Sequence, residues 1–240
     1  MGKDNGNRAS GAGPGFAIDR RGALRLLAAA AAIAANPSIR GAEAIASVAA
    51  ASSAGVGEAR PLGKTGMTVA TIGVGAMITR EADVIRYAVD RGANYVDTAD
   101  CYMGGENERI VGRALKGVRS KVILASKVHI ASMDRMIQSV EKSLKSLNTD
   151  VIDIMQLHGI STEGEVTNGN AREALRKLVD QGKIRVPGVT THSGQEEVLK
   201  AVMKHGFYKS VLVAYNFRTD AGVKATLRKL LSVGTGISAA

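Results

Sequence analysis

From Arg60 onward the chain repeats one unit: a short, continuous apolar run followed by a stretch with helical spacing. TIGVGA is followed by EADVIRYAVDRG, YVDTAD by NERIVGRALKG, and KVILASK by DRMIQSVEKSLKSLN. VIDIMQLHG then precedes NAREALRKLVDQGK, IRVPGVTT precedes GQEEVLKAVMKHG, SVLVAYN precedes GVKATLRKLLSVG, and GISAA comes last. The apolar runs do not alternate with polar residues, which is the pattern of strands buried on both faces. Gly92, Gly117, Gly182, Gly206 and Gly234 stand just after helical stretches, where glycine closes a helix in the left-handed conformation. Repeated strand–helix units require a parallel sheet, either open and doubly wound or closed into a barrel. Ahead of the first unit, RPLGKTGMTV reads as a β-hairpin turning at Lys64-Thr65-Gly66.

The count is seven strands and six helices, one helix, one strand and a further helix fewer than an eightfold barrel. A full barrel takes about 31 residues per unit, so residues 60–240 are expected to form an incomplete one.

The first part of the chain has a different texture. A polar, Gly-rich start leads to Arg20-Arg21 and then to the apolar run Leu26 to Ala35. Small-residue sites follow at Ala42-Glu43-Ala44 and Ala44-Ile45-Ala46. A cationic start, an apolar core of about ten residues and an A-x-A site form a secretory-signal pattern, too short to span a bilayer as an ordinary helix. The paired arginines point to the twin-arginine route, although Ala23 and Arg25 depart from the usual R-R-x-φ-L-K pattern. Residues 1–46 are therefore expected to be a signal for the twin-arginine translocation machinery, with export to the periplasm or beyond and no stable membrane anchor. Residues 47–59 are expected to be a linker. The competing reading is an Ala-rich helix of the mature protein.

The net charge of +10 invites a nucleic-acid reading, but the basic residues alternate with acidic ones along the helices. That spacing marks solvated faces rather than a phosphate-tracking stripe, and no recognition-helix or RNA-module pattern accompanies it. Nucleic acid is not an expected partner. A single cysteine, Cys101, excludes an internal disulfide and the multi-cysteine zinc motifs, and no metal is expected. Cys101 itself reads as a packing or site-lining residue.

In parallel α/β proteins chemistry gathers at the C-terminal ends of the strands. Here those ends carry Asp97, with Tyr102 in the loop beyond, then Lys127, His158 and the pair Thr190-Thr191. A phenol is a weak acid, and a neighbouring ammonium favours its ionised form. A carboxylate holds that ammonium charged and in place, and a neutral imidazole can donate a hydrogen bond to an oxygen gaining negative charge. Each residue also has a plainer reading: Asp97 as a helix cap, Lys127 as a surface side chain, His158 as a packing ring. Their succession at consecutive strand ends favours a proton-transfer site.

YVDTADCYMGGENERIVGRALKG, VILASK and DIMQLHG resemble, in order and spacing, the corresponding segments of aldo-keto reductases. The resemblance runs from about Arg60 to Ala240. It implies a TIM-type (β/α)8 barrel that reduces an aldehyde or ketone with NADP, or NAD, and without metal. Under it Tyr102 is the general acid, Lys127 its pKa modulator, Asp97 the partner of Lys127, and His158 the carbonyl orienter. Asp97, Gly75 and Ala76 would lie against the cofactor, and Thr190 and Thr191 stand where the family commonly has Ser-Asn contacts to the carboxamide. Leu212 stands where many members have Gln. The family's adenosine-phosphate grip follows its last strand and is expected to be missing, which leaves a non-catalytic binding or regulatory barrel and an inactive fragment as alternatives. A metal-dependent barrel hydrolase is disfavoured by the lack of an H-x-H motif.

Overall fold

The computed structural model describes residues 58–239. The signal reading for residues 1–46, and all but the end of the linker reading for 47–59, fall outside the described residues.

The described chain opens with an antiparallel hairpin, β1 (Ala59–Pro61) and β2 (Thr68–Ala70). Its turn is closed by Leu62 N–H donating to Met67 O at 2.8 Å. Seven parallel strands follow: β3 (Val74–Gly75), β4 (Tyr95–Asp97), β5 (Ile123–Val128), β6 (Ile152–Leu157), β7 (Ile184–Thr191), β8 (Ser210–Val213) and β9 (Gly236–Ala239). Between them run α1 (Ala82–Asp90), α2 (Glu106–Leu115), α3 (Met133–Leu147), a short α4 (Glu163–Val166), α5 (Gly169–Asp180), α6 (Gln195–His205) and α7 (Ala221–Val233).

Strand order decides between the two parallel architectures left open by the sequence. Each strand pairs with its successor, from β3 through to β9, all in one direction. A doubly wound sheet reverses its order at a switch point, whereas a barrel winds in one sense. The sheet is thus a curled, seven-stranded part-barrel. All seven expected strands and six expected helices are present, and the five glycines expected to stop helices have positive φ.

Two apolar layers hold the sheet. On its outer side α2, α3, α5, α6 and α7 cover the strands through residues such as Val111, Val140, Leu175, Val198 and Leu230, all nearly inaccessible. The inner face carries a smaller cluster of Tyr95, Ala125, Ile154 and Val186, joined by Leu62 from the hairpin. Met67 and Val69 pack on this cluster too, so the hairpin closes the end of the sheet where the strands begin. It is fastened there by Lys64 N–H donating to Gly234 O at 2.7 Å. Among the described residues no such hairpin covers the opposite end, where the strands finish.

The element not anticipated from sequence is α4, a single turn. Its N-terminus is a capping box: Thr162 accepts from Glu165 N–H, and the Glu165 carboxylate accepts from Thr162 N–H at 3.0 Å.

Candidate active site

Hydrogen bonds continue beyond the strand ends and fix the backbone of the loops. Ala76 N–H donates to Asp97 O at 2.8 Å, Thr98 N–H to Ala125 O at 3.0 Å, and His158 N–H to Val128 O at 2.9 Å. Asp97, Lys127 and His158 are therefore held by main chain before their side chains act.

Lys127 is the most deeply placed of them, with 1% of its side chain exposed. Its ammonium is paired with Asp97 and donates to Thr98 O at 2.7 Å. A buried ammonium without such partners costs several kcal/mol, so this is no surface lysine. Nor is Asp97 a helix cap, because Gly105 occupies the N-cap of α2. Burial raises the pKa of Asp97 above the ordinary carboxylate range, and the charge and hydrogen bond of Lys127 pull it back down. Asp97 Oδ2 is buried and accepts no hydrogen bond.

Tyr102 lies in the loop after β4, in a short 3-10 turn, Tyr102–Gly105, whose Met103, Gly104 and Gly105 all have positive φ. Met103 at φ 53° is the costly member, since a side chain there crowds the main chain. The turn sets the phenol ring over Lys127, whose Nζ is 4.7 Å from the ring centroid. His158 meets the same ring edge-on, centroid to centroid 5.8 Å. Burial, followed by the nearby His129, Lys127 and His192, lowers the His158 pKa from 6.5 to about 4. The imidazole is neutral at pH 7 and keeps one N–H to donate. Asp97, Tyr102, Lys127 and His158 thus come together as one constellation at the open end.

Two further residues hold it and were not singled out in the sequence. Asn107 is buried; it accepts from Thr98 Oγ1 at 2.7 Å and donates to Ala76 O at 2.7 Å, tying the ends of β3 and β4 together. Glu108, also buried, accepts from Ser126 Oγ at 2.7 Å, beside Lys127. Both belong to the first turn of α2, where polar residues are ordinarily taken for a solvated face. The available signal was G-G-E-N starting two residues after the loop tyrosine, Tyr102.

The residues expected to meet a cofactor are mixed. Gly75 is exposed, and the space a Cβ would take holds no atom within 4 Å, so its main chain can be approached closely. Ala76 and both threonines are buried. Thr190 Oγ1 accepts from Gly159 N–H at 2.8 Å, and Thr191 donates to Ser193 O at 2.9 Å, so both hydroxyls brace loops. Leu212 is paired in register with Thr190 and is 6% exposed. The open surface at Gly75 and the unpartnered Asp97 Oδ2 fit an extended, hydroxyl-bearing ligand lying across the ends of β3 and β4.

Cys101 is exposed, with its Sγ 3.6 Å from His158 Nδ1. Burial and the adjacent Asp100 raise its pKa, which leaves it a thiol rather than an activated nucleophile.

Comparison with known proteins bears on family and fold. The model of the aldo/keto reductase family matches residues 72–229, and the chain belongs to that family. The uncharacterized oxidoreductase YqkF of Bacillus subtilis is 31% identical over 174 residues, which cover 65% of this chain and 56% of that protein. The methylglyoxal reductase YeaE of Escherichia coli is 39% identical over 112 residues, 46% of this chain and 38% of its own. Among solved structures, an aldo/keto reductase of Klebsiella pneumoniae in complex with NADP and acetate superposes with a TM-score of 0.63 at 28% identity, covering 77% of this chain and 68% of that one. The chain spans about half, or less, of the length of these two curated relatives.

Proposed function

We propose that the open end of the sheet reduces a small aldehyde or ketone with a nicotinamide cofactor, NADPH in preference to NADH. The observation that carries this reading is the buried Lys127 ammonium, paired with Asp97 and set 4.7 Å from the Tyr102 ring centroid. A buried, fixed positive charge beside a phenol is the arrangement a proton donor to a carbonyl needs.

A bound reduced nicotinamide supplies the hydride. Tyr102 donates its phenolic proton to the carbonyl oxygen, and Lys127, set over the ring, steadies the negative charge left behind. Asp97 keeps Lys127 in place. Neutral His158 donates a hydrogen bond to the same carbonyl oxygen and orients it. The Klebsiella structure was solved with NADP, and YeaE is named for a small aldehyde, which supports both cofactor and substrate class. The test is the full chain with NADPH and a panel of small aldehydes, followed by loss of reduced-nicotinamide absorbance. Turnover above that of the solvent blank is expected. NADPH binding with no turnover of any aldehyde would instead favour a binding barrel.

We also propose that residues 1–46 address the protein to the twin-arginine machinery, which moves folded proteins and so can carry a bound cofactor outward. Among the described residues no helix is long and apolar enough to cross a membrane. Arg20→Lys with Arg21→Lys should trap the protein uncleaved in the cytoplasm, because the arginine pair is itself the address. Normal export of that double variant contradicts the reading.

A further inference from the structure

The sequence contains four histidines and one cysteine. Two of those histidines and the cysteine meet at one point of the open end, together with Asp100. Asp100 and Cys101 follow β4, His129 follows β5 and His158 follows β6, so three successive strand ends contribute. One ligand atom from each of the four residues lies within 4.8 Å of the other three. We propose that Asp100, Cys101, His129 and His158 form a zinc-binding site.

The spacing is close to what the metal needs. With zinc–sulfur bonds of about 2.3 Å and zinc–nitrogen bonds of about 2.0–2.1 Å, tetrahedral geometry sets sulfur and nitrogen about 3.6 Å apart. Cys101 Sγ and His158 Nδ1 are separated by 3.6 Å. His129 Nδ1 and Asp100 Oδ1 stand at 3.9 Å, and closing to about 3.4 Å would suit the same centre. His129 is exposed, so its side chain is free to make that movement. The two imidazole rings are already neighbours, with centroids 4.6 Å apart.

Asp100 supplies an independent argument. Its Oδ1 is buried and accepts no hydrogen bond, a costly state for a carboxylate that a cation relieves. Charge also closes once zinc displaces the Cys101 thiol proton to solvent: a dication with one thiolate and one carboxylate is neutral, and Lys127 nearby is already balanced by Asp97. The mixed sulfur, nitrogen and oxygen set selects zinc over magnesium or calcium, which take oxygen ligands. The lone cysteine made a metal unexpected from sequence because linear motifs hold their ligands close together. These four come together only when the strands align.

The site shares His158 with the reductase reading, zinc taking Nδ1 and leaving the Nε2–H to donate, and it is tested by binding alone. The tag-free full chain, stripped with a chelator, is titrated with zinc chloride against a chromophoric competitor. One zinc per chain is expected. Cys101→Ser and His129→Asn should each weaken it by at least about tenfold, judged by what even outer-shell changes cost known sites. His205→Asn, at the remote α6 terminus, should leave it unchanged. Cobalt(II) should give a thiolate charge-transfer band in the near ultraviolet that Cys101→Ser removes, while circular dichroism shows the variant folded. Zinc held no more tightly by the wild type than by the Cys101→Ser, His129→Asn double variant overturns the proposal, as does a cobalt complex without the thiolate band.

Discussion

The seven parallel strands begin and finish in different chemistry. Where they begin, Tyr95, Ala125, Ile154 and Val186 meet Leu62 of the hairpin in a closed apolar layer. Where they finish, the same strands present Asp97, Lys127 and His158 to an open mouth. At one end burial is favourable and geometry tolerant. At the other a charge is held out of water, which is stable only while its partners remain. The comparison separates residues that keep the sheet folded from residues that give it a task.

Breaking the mouth should therefore cost more per atom than breaking the base. Asp97→Asn leaves the Lys127 ammonium buried without its counter-charge, a class of change worth about 3–5 kcal/mol. The melting temperature of the variant should fall by many degrees. An unchanged melt would mean that Lys127 escapes to water.

At the closed end, Ile154→Ala removes an inaccessible side chain from the inner cluster. Losses of about 2–5 kcal/mol are usual for such truncations. Denaturant unfolding should register that loss while the folded variant keeps its cofactor affinity. Loss of affinity without loss of stability would show the two ends to be coupled.

The smallest effect lies between them, at Glu108. Burial raises its pKa above the ordinary carboxyl value, with Ser126 and Ser143 opposing. A carboxyl whose folded pKa is raised contributes stability below its unfolded pKa, and that contribution is lost as pH rises through the folded value. Measured against Glu108→Gln, the wild type should hold its own near pH 4 and lose ground progressively towards pH 8. Melts of both proteins across that range, with a chelator present, decide it. A difference that grows as pH falls contradicts the assignment.

The same contrast explains what could be seen in the sequence. The strands were legible because helices cover one face and the inner layer the other, so runs such as IDIMQL carry no alternation that a half-exposed strand would show. Helix ends were legible through glycines such as Gly206 and Gly234, both at positive φ. The quartet was legible because each member interrupts or follows an apolar run at its end. Asn107 and Glu108 were not, since a polar first helical turn looks the same whether it faces water or a neighbouring strand end. Asp153 was hidden inside its strand. It proves to be a buried hub, accepting from Arg119 and Arg185 at 2.7 Å each and from Leu124 N–H at 2.9 Å. His129 was passed over because its neighbours come from two other strand ends.

Whether Tyr102 gives a proton to a carbonyl at this mouth is decided by comparing the wild type with Tyr102→Phe in two measurements on the same preparations, NADPH affinity and steady-state aldehyde reduction. The phenol's proton matters in the transition state and little in holding the cofactor. NADPH affinity is expected within about twofold of the wild type and turnover reduced at least about a hundredfold, the usual contribution of a positioned acid. Turnover unchanged by Tyr102→Phe would contradict that role.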